Sequence, residues 1–329
     1  MARAGKILRI ALFVFLILLV GGITFTIGWR PFLGPRKRAL TNRQFERTPE
    51  RVARGRYLTQ GLLGCESCHS PKDWNQHGAP SLEGMELAGQ VLPLADLPGS
   101  ITASNITSDR DTGGGNWTDD QYARAIREGI GHDDRTIFPI MPYSEYKHLS
   151  DEDLASVVVY IRSIPAVRTP LPPTQVKFPV NYLVREAPEP VTETVPAPKV
   201  ADQLATGKYL ASLGCGCHRV VENLDFGGGL VLKGPWGEAT SANITPDPSG
   251  IGYYDEAKFV SALRTGYVGA RKLNSIMPFG AFQNLHDDDL KAIFAYLRTV
   301  TSVKHRIDNS LPPTFCKVCK AKHGAGDQN

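Results

Sequence analysis

The feature that most constrains this chain of 329 residues is an internal repeat, because the same short motifs occur twice in the same order. Each copy holds a Gly-basic-Tyr-Leu run, a cysteine-histidine run, an Asn-Ile-Thr run, an Ile-Met-Pro run and an acidic run before leucine. The matched segments are 55–58 and 207–210, 65–69 and 215–218, 104–107 and 242–245, 140–143 and 276–279, and 151–154 and 287–290. A chain of this length is long enough for two ordinary domains. The repeat therefore predicts two copies of one domain, at 49–164 and at 201–303.

The first cysteine-histidine run has the pattern Cys-x-x-Cys-His, which is the attachment signature of a c-type haem. On one helical turn, Cys65 and Cys68 share a face, so both can form thioethers to haem vinyl groups. His69 lies on the same face and can offer a ring nitrogen to the iron. A chance zinc or redox Cys-x-x-Cys beside a histidine is the alternative. The motif predicts a haem c bound through these three residues.

The second run is an imperfect copy, because Cys215 lies two residues before Cys217 instead of three. Two residues on a helix rotate by about 200°, so both sulfurs cannot face one haem from regular helix. Gly216 between them can let the turn distort. Three outcomes remain open beside His218: two strained thioethers, one thioether through Cys217, or no haem. Of these, we predict a second haem c that is attached through Cys217 alone.

A methionine at an equivalent position of each copy is the predicted partner of the histidine across each haem. Beyond the initiator the chain has three methionines, and Met141 and Met277 are the repeated pair, each before a proline. A thioether opposite histidine gives a low-spin iron and raises its reduction potential, which suits electron transfer. Packing in a turn is the alternative for both. Met85 has no counterpart and is predicted to be a core residue.

Ligation by two histidines is the competing arrangement. No other histidine has a histidine at the equivalent position of the other copy. We therefore expect each of them to be a surface residue. These residues are His77, His132, His148, His286, His305 and His323.

Residues 10–29 form a span without a charged side chain. As a helix, this span would be about 30 Å long, the thickness of a bilayer core. A cleaved signal peptide is the alternative, but the span is longer than the usual signal core and no A-x-A site follows. We predict an uncleaved membrane anchor at 1–38. Both flanks are basic, so the orientation comes from the cysteines: covalent haem attachment would place the haem domains in a bacterial periplasm, anchored to the inner membrane.

The formal net charge of +4 does not indicate a nucleic-acid partner. Residues 1–38 carry seven Lys or Arg and no acid, which leaves 30 basic and 33 acidic side chains in the rest. The basic excess therefore belongs to the membrane flank, and no nucleic acid is expected to bind.

The remaining segments have local signals. A polar stalk is predicted at 39–48. Thr118 and Ser150 are expected to cap helices, and Asp287 is expected to cap in the second copy, where histidine replaces Ser150. The predicted linker at 165–200 is proline-rich, so it should run extended and without helix. In the predicted tail at 304–329, a disulfide between Cys316 and Cys319 is expected in an oxidising compartment, with a metal site that includes His323 as the alternative.

Taken together, the motifs over residues 50–303 resemble the membrane-anchored, multi-haem cytochrome c subunits of bacterial dehydrogenases, such as those of alcohol and gluconate oxidation. The resemblance implies a mainly α fold with a class I cytochrome c domain in each half. It implies that the helix of Tyr57 crosses that of Tyr160, and that the helices of Tyr209 and Tyr296 cross likewise. It also implies His69 with Met141, and His218 with Met277, as iron ligands. Relatives of the alcohol-oxidising type carry three haems, whereas the motifs here argue for two.

The predicted function is electron transfer. Single electrons would pass from a periplasmic or membrane dehydrogenase, or a quinol-oxidising partner, towards a terminal oxidase or a soluble cytochrome. The competing class is a dihaem enzyme, a peroxidase or a sulfur-compound oxidoreductase, with one open haem site. A haem-dependent sensor is a third class. Two repeated methionines predict closed sites, which favours the carrier.

Overall fold

The computed structural model describes residues 2–199 and 201–329, so Met1 and Val200, in the predicted anchor and linker, lie outside the described residues. About 37% of the chain is helical, which confirms the expected mainly α class. The α-helices of the described residues are α1 (Ala2–Phe25), α2 (Arg30–Leu33), α3 (Pro49–Tyr57), α4 (Glu66–His69), α5 (Asp119–Glu128), α6 (Tyr143–Tyr146), α7 (Asp151–Ser163), α8 (Val180–Leu183), α9 (Gln203–Gly214), α10 (Glu256–Thr265), α11 (Phe279–Phe282) and α12 (Asp287–Leu297).

The strands are short and form two-stranded antiparallel ribbons. In these ribbons β1 (Gln90–Val91) pairs with β3 (Thr102–Ala103), β2 (Gly99–Ser100) with β4 (Gln175–Val176), β5 (Val231–Gly234) with β6 (Gly237–Thr240), β7 (Tyr267–Val268) with β8 (Arg271–Lys272), and β9 (Pro313–Phe315) with β10 (Lys322–Gly324). One π-helical stretch, Leu58–Leu62, extends α3 towards the first cysteine-histidine run.

The same pair of helices packs in each half of the chain: α3 against α7, and α9 against α12. The repeated glycines explain the close approach. A Cβ atom at Gly55 would overlap the backbone carbonyl of Ser156, and one at Gly207 would overlap that of Ala292. Only glycine lets the two backbones pack at this distance. The expected helix crossings are therefore present in both halves.

Most of the predicted helix caps are confirmed. Thr118 and Gln121 form a reciprocal capping box at the start of α5, and Gly129 ends this helix in the left-handed region. The Ser150 side chain accepts a hydrogen bond from the backbone N–H of Asp153. The expectation for Asp287 is wrong, because the N-cap position is occupied by His286, whose side chain makes no capping hydrogen bond.

Helix α1 is exposed and apolar, and residues Gly5–Phe25 are long and apolar enough to cross a membrane by length and composition. A signal sequence would pass the same test. The segment predicted as a stalk lies along α5: the backbone N–H groups of Thr41 and Phe45 each donate to an aspartate of its first turn, at 2.6 Å. Two hydrogen-bonded aspartates therefore fix this segment to the first half.

The proline-rich segment follows the first half. Strand β4 lies in it and pairs with β2, and the backbone N–H of Asp151 donates to the carbonyl of Val195. The expectation of no helix is wrong for residues 180–186, where α8 begins directly after Pro179 and a 3₁₀ turn, Val184–Glu186, follows it. Proline is tolerated just before a helix because the first N–H groups have no intrahelical acceptor.

The two halves contact each other through equivalent residues. The hydroxyl group of Tyr57 donates to Asp289 and accepts from the backbone N–H of His286 at 3.1 Å. In the reciprocal contact, the hydroxyl group of Tyr209 donates to Asp153 at 2.7 Å and accepts from the backbone N–H of Ser150 at 3.0 Å. Each tyrosine thus binds the start of the last helix of the opposite half. Reciprocal contacts of this kind indicate an approximate two-fold relation between the halves.

Candidate functional site

The first cysteine-histidine run folds as the predicted single helical turn. Helix α4 begins directly after Cys65, and the backbone N–H groups of Cys68 and His69 both donate to the carbonyl of Cys65, at 3.3 and 2.9 Å. Burial raises the pKa of the Cys65 thiol to about 12. Burial, together with the nearby Cys217, raises the pKa of Cys68 to about 11. Both thiols are therefore protonated at neutral pH in the protein alone, and they lie on one turn.

The ring of His69 is oriented by a backbone carbonyl. Its Nδ1 lies 2.7 Å from the carbonyl oxygen of Ser104, so Nδ1 carries a proton and donates it. Burial lowers the pKa of His69, which favours the neutral ring. The Nε2 atom then has a free lone pair, as a metal-ligating histidine requires.

The second histidine is held in the same way. The Nδ1 atom of His218 lies 2.6 Å from the carbonyl oxygen of Ala242, and burial lowers the pKa of the ring. Ser104 and Ala242 are equivalent in the repeat, each directly before the Asn-Ile-Thr run. The sequence did not assign a role to these two residues. Their position directly before a repeated motif was the available signal, because a role of the backbone carbonyl does not restrict the residue type.

The Asn-Ile-Thr run explains how these carbonyls are fixed. The side-chain oxygen of Asn105 accepts from the backbone N–H of Thr107 at 2.9 Å, and its amide donates to the carbonyl of Val167 at 2.7 Å. Asn243 makes the matching bonds to the N–H of Thr245 and the carbonyl of Val303, at the same distances. The asparagine therefore joins the loop beside each histidine to the chain that follows the last helix.

The imperfect second run leaves regular helix at its first cysteine. Cys215 ends α9 with φ −104° and ψ 21°, and Gly216–His218 form a 3₁₀ turn. Cys215 is half-buried and Cys217 is exposed. Both of them line the same cavity, so the distortion that Gly216 was expected to allow is present. One thioether through Cys217 stays a prediction.

This cavity has a volume of about 1350 Å³. It brings together His218, Met277 and the two cysteines, and its lining includes apolar side chains: Phe259, Leu263, Ile293 and Leu297. Ordinary small-molecule pockets have volumes of roughly 300–1,000 Å³, so this one suits a larger, apolar ligand. A thioether sulfur, an imidazole and two thiols around an apolar cavity form a donor set that fits haem c.

The two repeated methionines lie in equivalent turns. The backbone N–H of Met141 donates to the carbonyl of Phe138 at 3.1 Å, and that of Met277 to the carbonyl of Asn274 at 3.0 Å. A one-turn helix, α6 or α11, begins after the proline that follows each methionine. Both methionines are half-buried against the apolar core, and Cys65 contacts the same core. Met85 is half-buried and is not among the buried core residues described, so that expectation is wrong.

Tyr146 links the two cysteine-histidine runs, and sequence reasoning did not identify it. Its hydroxyl group donates to the carbonyl of Leu63 at 2.9 Å. Burial, together with the nearby Cys65, Cys68 and Cys217, raises its pKa. The two runs therefore approach each other around one phenol. An aromatic residue four positions after each Met-Pro proline, Tyr146 or Phe282, was the available signal.

The histidines outside the two runs differ in burial. His132, His148 and His286 are exposed, as expected, and His77 is half-buried. The expectation is wrong for His305 and His323, whose residues are 0% and 1% exposed. The expected disulfide is absent from this part of the structure, because Cys316 and Cys319 are both free.

Comparison with known proteins gives the same class of protein. The chain is 30% identical over 265 residues to the fructose dehydrogenase cytochrome subunit of Gluconobacter japonicus, which covers 76% of this chain and 52% of that protein. It is 27% identical over 278 residues to the cytochrome c subunit of the quinone-dependent alcohol dehydrogenase of Gluconobacter oxydans, with 77% and 55% covered. The chain is homologous to bacterial cytochrome c subunits. No family model matches it.

A further similar protein is a diheme cytochrome c-type protein of Cereibacter sphaeroides, 28% identical over 260 residues, with 73% of this chain and 83% of that protein covered. The chain spans about half the length of the two dehydrogenase subunits above. The resemblance that the repeated motifs predicted is confirmed. These relatives support an electron-transfer cytochrome.

Proposed function

We propose that this chain is a membrane-anchored dihaem c-type cytochrome that carries single electrons. The donor would be a dehydrogenase or a quinol-oxidising partner, and the acceptor a terminal oxidase or a soluble cytochrome. The observation that carries the proposal is the repeated orientation of His69 and His218. In both rings Nδ1 is held by an equivalent backbone carbonyl, at 2.7 and 2.6 Å, so that Nε2 is free to bind iron.

In this proposal the chain holds two haem c groups with matched ligands. Cys65 and Cys68 would attach the first haem, and His69 and Met141 would bind its iron. Cys217 would attach the second haem, and His218 and Met277 would bind its iron; Cys215 lines the same cavity and is the candidate for a second thioether. The bound haem supplies one-electron chemistry at its iron.

The protein residues decide what these sites do. With Met141 and Met277 as second ligands, neither iron would keep an exchangeable position, which would favour electron transfer over peroxidase or sulfur chemistry. Burial lowers the pKa of each imidazole and so favours its neutral form, while the carbonyls of Ser104 and Ala242 fix its orientation. The apolar side chains of the cavity exclude water, which also affects the reduction potential.

The fold supports two haem domains, at 49–164 and 201–303, joined by the segment 165–200. In each, an N-terminal helix crosses the last helix at a repeated glycine. The proximity of Cys217 to Cys68 and Tyr146 supports a short path between the two sites. An electron could then pass from one haem to the other inside one chain.

The proposed location is a bacterial inner membrane, with α1 as a single uncleaved anchor and both haem domains in the periplasm. The length and composition of α1 support an anchor. The names of two relatives, cytochrome subunits of fructose and alcohol dehydrogenases, support a dehydrogenase as the donor. A chain of this kind would be an electron-transfer subunit and would do no bond chemistry on a substrate.

The test is haem stoichiometry combined with intact mass. The full chain is purified from a host that attaches c-type haem, and haem is measured by its alkaline pyridine spectrum against protein. Two haems per chain are expected, and peptide mapping should find one on Cys217. One haem per chain would overturn the two-site proposal. Rapid carbon monoxide binding by the reduced wild-type protein would overturn the proposal of a pure carrier.

A further inference from the structure

A buried cluster of four metal-ligating side chains lies in the C-terminal tail, apart from the haem sites. One ligand atom from each residue lies within 4.8 Å of the others; the residues are His305, Cys316, Cys319 and His323. Cys316 and His305 are 0% exposed. The cluster brings together two thiols and two imidazoles, the donors that zinc prefers in closed sites.

The tail folds to present these side chains. Strands β9 and β10 form a hairpin, and Cys316 follows β9 directly, with its backbone N–H donating to the carbonyl of Ala321 at 2.8 Å. The backbone N–H of Cys319 points at the sulfur of Cys316, at 3.5 Å. His323 lies in β10, whereas His305 comes from the chain that follows α12. The hairpin therefore supplies three donors, and an earlier segment supplies the fourth.

The close approach of the two imidazole rings is not explained by hydrogen bonds alone. The Nδ1 atom of His305 lies 2.7 Å from the carbonyl of Gly227, and that of His323 lies 2.9 Å from the carbonyl of Gly324. Each Nδ1 must carry the proton, because a carbonyl only accepts. Both Nε2 atoms then present lone pairs to each other at 3.2 Å. A proton shared between them would leave a charge in a buried site, which costs free energy. A cation between the two rings resolves the conflict.

The distances agree with one particular cation. Around a tetrahedral zinc ion with Zn–N near 2.05 Å and Zn–S near 2.3 Å, neighbouring nitrogens are about 3.3 Å apart and a nitrogen and a sulfur about 3.6 Å. The corresponding distances are 3.2 Å between the two Nε2 atoms, and 3.5 Å between Nε2 of His305 and the sulfur of Cys316. We propose that His305, Cys316, Cys319 and His323 bind one zinc ion as a closed structural site.

Zinc is favoured over other metals by ligand type. Two thiolates and two imidazoles around a tetrahedral ion are typical of zinc, whereas hard cations prefer oxygen ligands. The backbone carbonyls at both Nδ1 atoms are the outer partners that zinc-bound histidines usually have. A disulfide between Cys316 and Cys319 would use two of the four residues and would leave the facing lone pairs unexplained.

The site would join the tail to the second half. His305 contacts the carbonyl of Gly227 through Nδ1, and the next residue, Gly228, donates its backbone N–H to the carbonyl of His218 at 3.1 Å. Residues 306–310 line the 1350 Å³ cavity. Zinc would thus hold one wall of that cavity in place. This consequence for the second haem rests on the proposed function, but zinc binding itself does not.

The test measures zinc and iron in the same sample. The full-length holoprotein is purified in detergent without added metal, and both elements are counted per chain by plasma mass spectrometry. One zinc per chain is expected. In the double variant Cys316→Ser and Cys319→Ser zinc should fall to background, whereas in the control Lys317→Ser, at an exposed position between the cysteines, it should stay at one. Iron per chain reports haem binding separately.

X-ray absorption at the zinc edge of the wild-type protein provides a test that needs no variant. Two sulfur and two nitrogen neighbours are expected. Oxygen neighbours, zinc that the double variant keeps, or wild-type protein without zinc would overturn the proposal. A mass two hydrogens lower at a peptide that joins Cys316 and Cys319 would instead establish the disulfide. Another metal at one per chain would overturn the assignment of zinc.

Discussion

Replacement of Arg38 by alanine should destabilise the protein far more than replacement of the nearby Arg36. The guanidinium group of Arg38 donates to Asp120 and to Glu128 of α5, each at 2.7 Å. The two carboxylates are buried, with side chains 0% and 2% exposed, and the Arg38 side chain is only 12% exposed. The variant would therefore remove the arginine that is hydrogen-bonded to both buried acids, and would leave Asp120 with the more distant Arg43, at 3.9 Å.

The magnitude follows from the burial. Removal of one partner from a buried ion pair costs about 3–5 kcal/mol, because the remaining charge stays out of water. Arg36 pairs with Glu186 at 3.4 Å, and both side chains are close to half-exposed. An exposed pair of this kind contributes about 0–1 kcal/mol. Arg36→Ala, two positions away on the same segment, is therefore a matched control.

The loss of unfolding free energy in Arg38→Ala, relative to the wild type, should depend on pH. Burial acts to raise the pKa of Asp120, but the hydrogen bonds from Arg38 and Thr41 and the charge of Arg38 together outweigh this and lower the pKa. Burial raises the pKa of Glu128, and Arg38 opposes this rise. Without Arg38, the folded-state pKa of both acids should be higher than in the wild type. Protonation then stabilises the folded variant, so the deficit of Arg38→Ala should shrink as the pH falls from 7 towards 5.

Urea unfolding of the full chain in detergent, followed by circular dichroism at 222 nm, measures the free energy of unfolding for wild type and both variants at each pH. We expect Arg38→Ala to lose about 3–5 kcal/mol at pH 7. Equal losses in Arg38→Ala and Arg36→Ala would refute the reasoning, and so would a deficit that grows at pH 5.

Three further predictions concern the proposed haem sites and the contact between the halves. Met277→Ala should let the reduced protein bind carbon monoxide at one of two haems, with unchanged haem content. The control Met85→Ala should bind none, and absorption spectra of the carbonyl complex measure the difference. Cys217→Ala should remove the covalent bond to the second haem in peptide mass maps, whereas Cys215→Ala should keep it; the reverse pattern contradicts single attachment. Tyr209→Phe removes the hydrogen bonds to Asp153 and Ser150 and should lower the free energy of unfolding by about 1–3 kcal/mol. The control Tyr182→Phe, at an exposed position, should cause no loss. Equal free energies of unfolding in the two variants would contradict the predicted contact between the halves.

Features set by a few neighbouring residues were predictable from the sequence. The turn at 65–69, the capping box at Thr118 and the helix end at Gly129 all depend on hydrogen bonds within a few positions. The mainly α class also followed, because the apolar periods of α5 and α7 are local. The equivalence of Met141 and Met277 came from the repeat and needed no packing information.

Features that join distant segments were not predictable. Residues 39–48 are polar, yet Thr41 and Phe45 are hydrogen-bonded to buried aspartates of α5. His305 and His323 were expected at the surface because neither is repeated, but the tail hairpin buries both. Asp287 could not cap α12 because the preceding residue, His286, already has the N-cap geometry. For residues 39–48 and for the two histidines, the deciding contact lies outside the local window from which a residue pattern is read.

The approximate two-fold relation between the halves gives a physical reason why the imperfect second run could still hold a haem. Tyr57 and Tyr209 make reciprocal contacts, so equivalent parts of the two halves face one another across an approximate two-fold axis. Under that relation Cys68 and Cys217, the equivalent second cysteines, lie on facing surfaces, and the contribution of Cys217 to the raised pKa of Cys68 agrees with this. A thioether at Cys217 would fix the second haem at this interface, beside the first. Cys215, one residue out of register, lies at the end of α9 and lines the same cavity, so a haem that is not bonded to Cys215 would still be attached through Cys217.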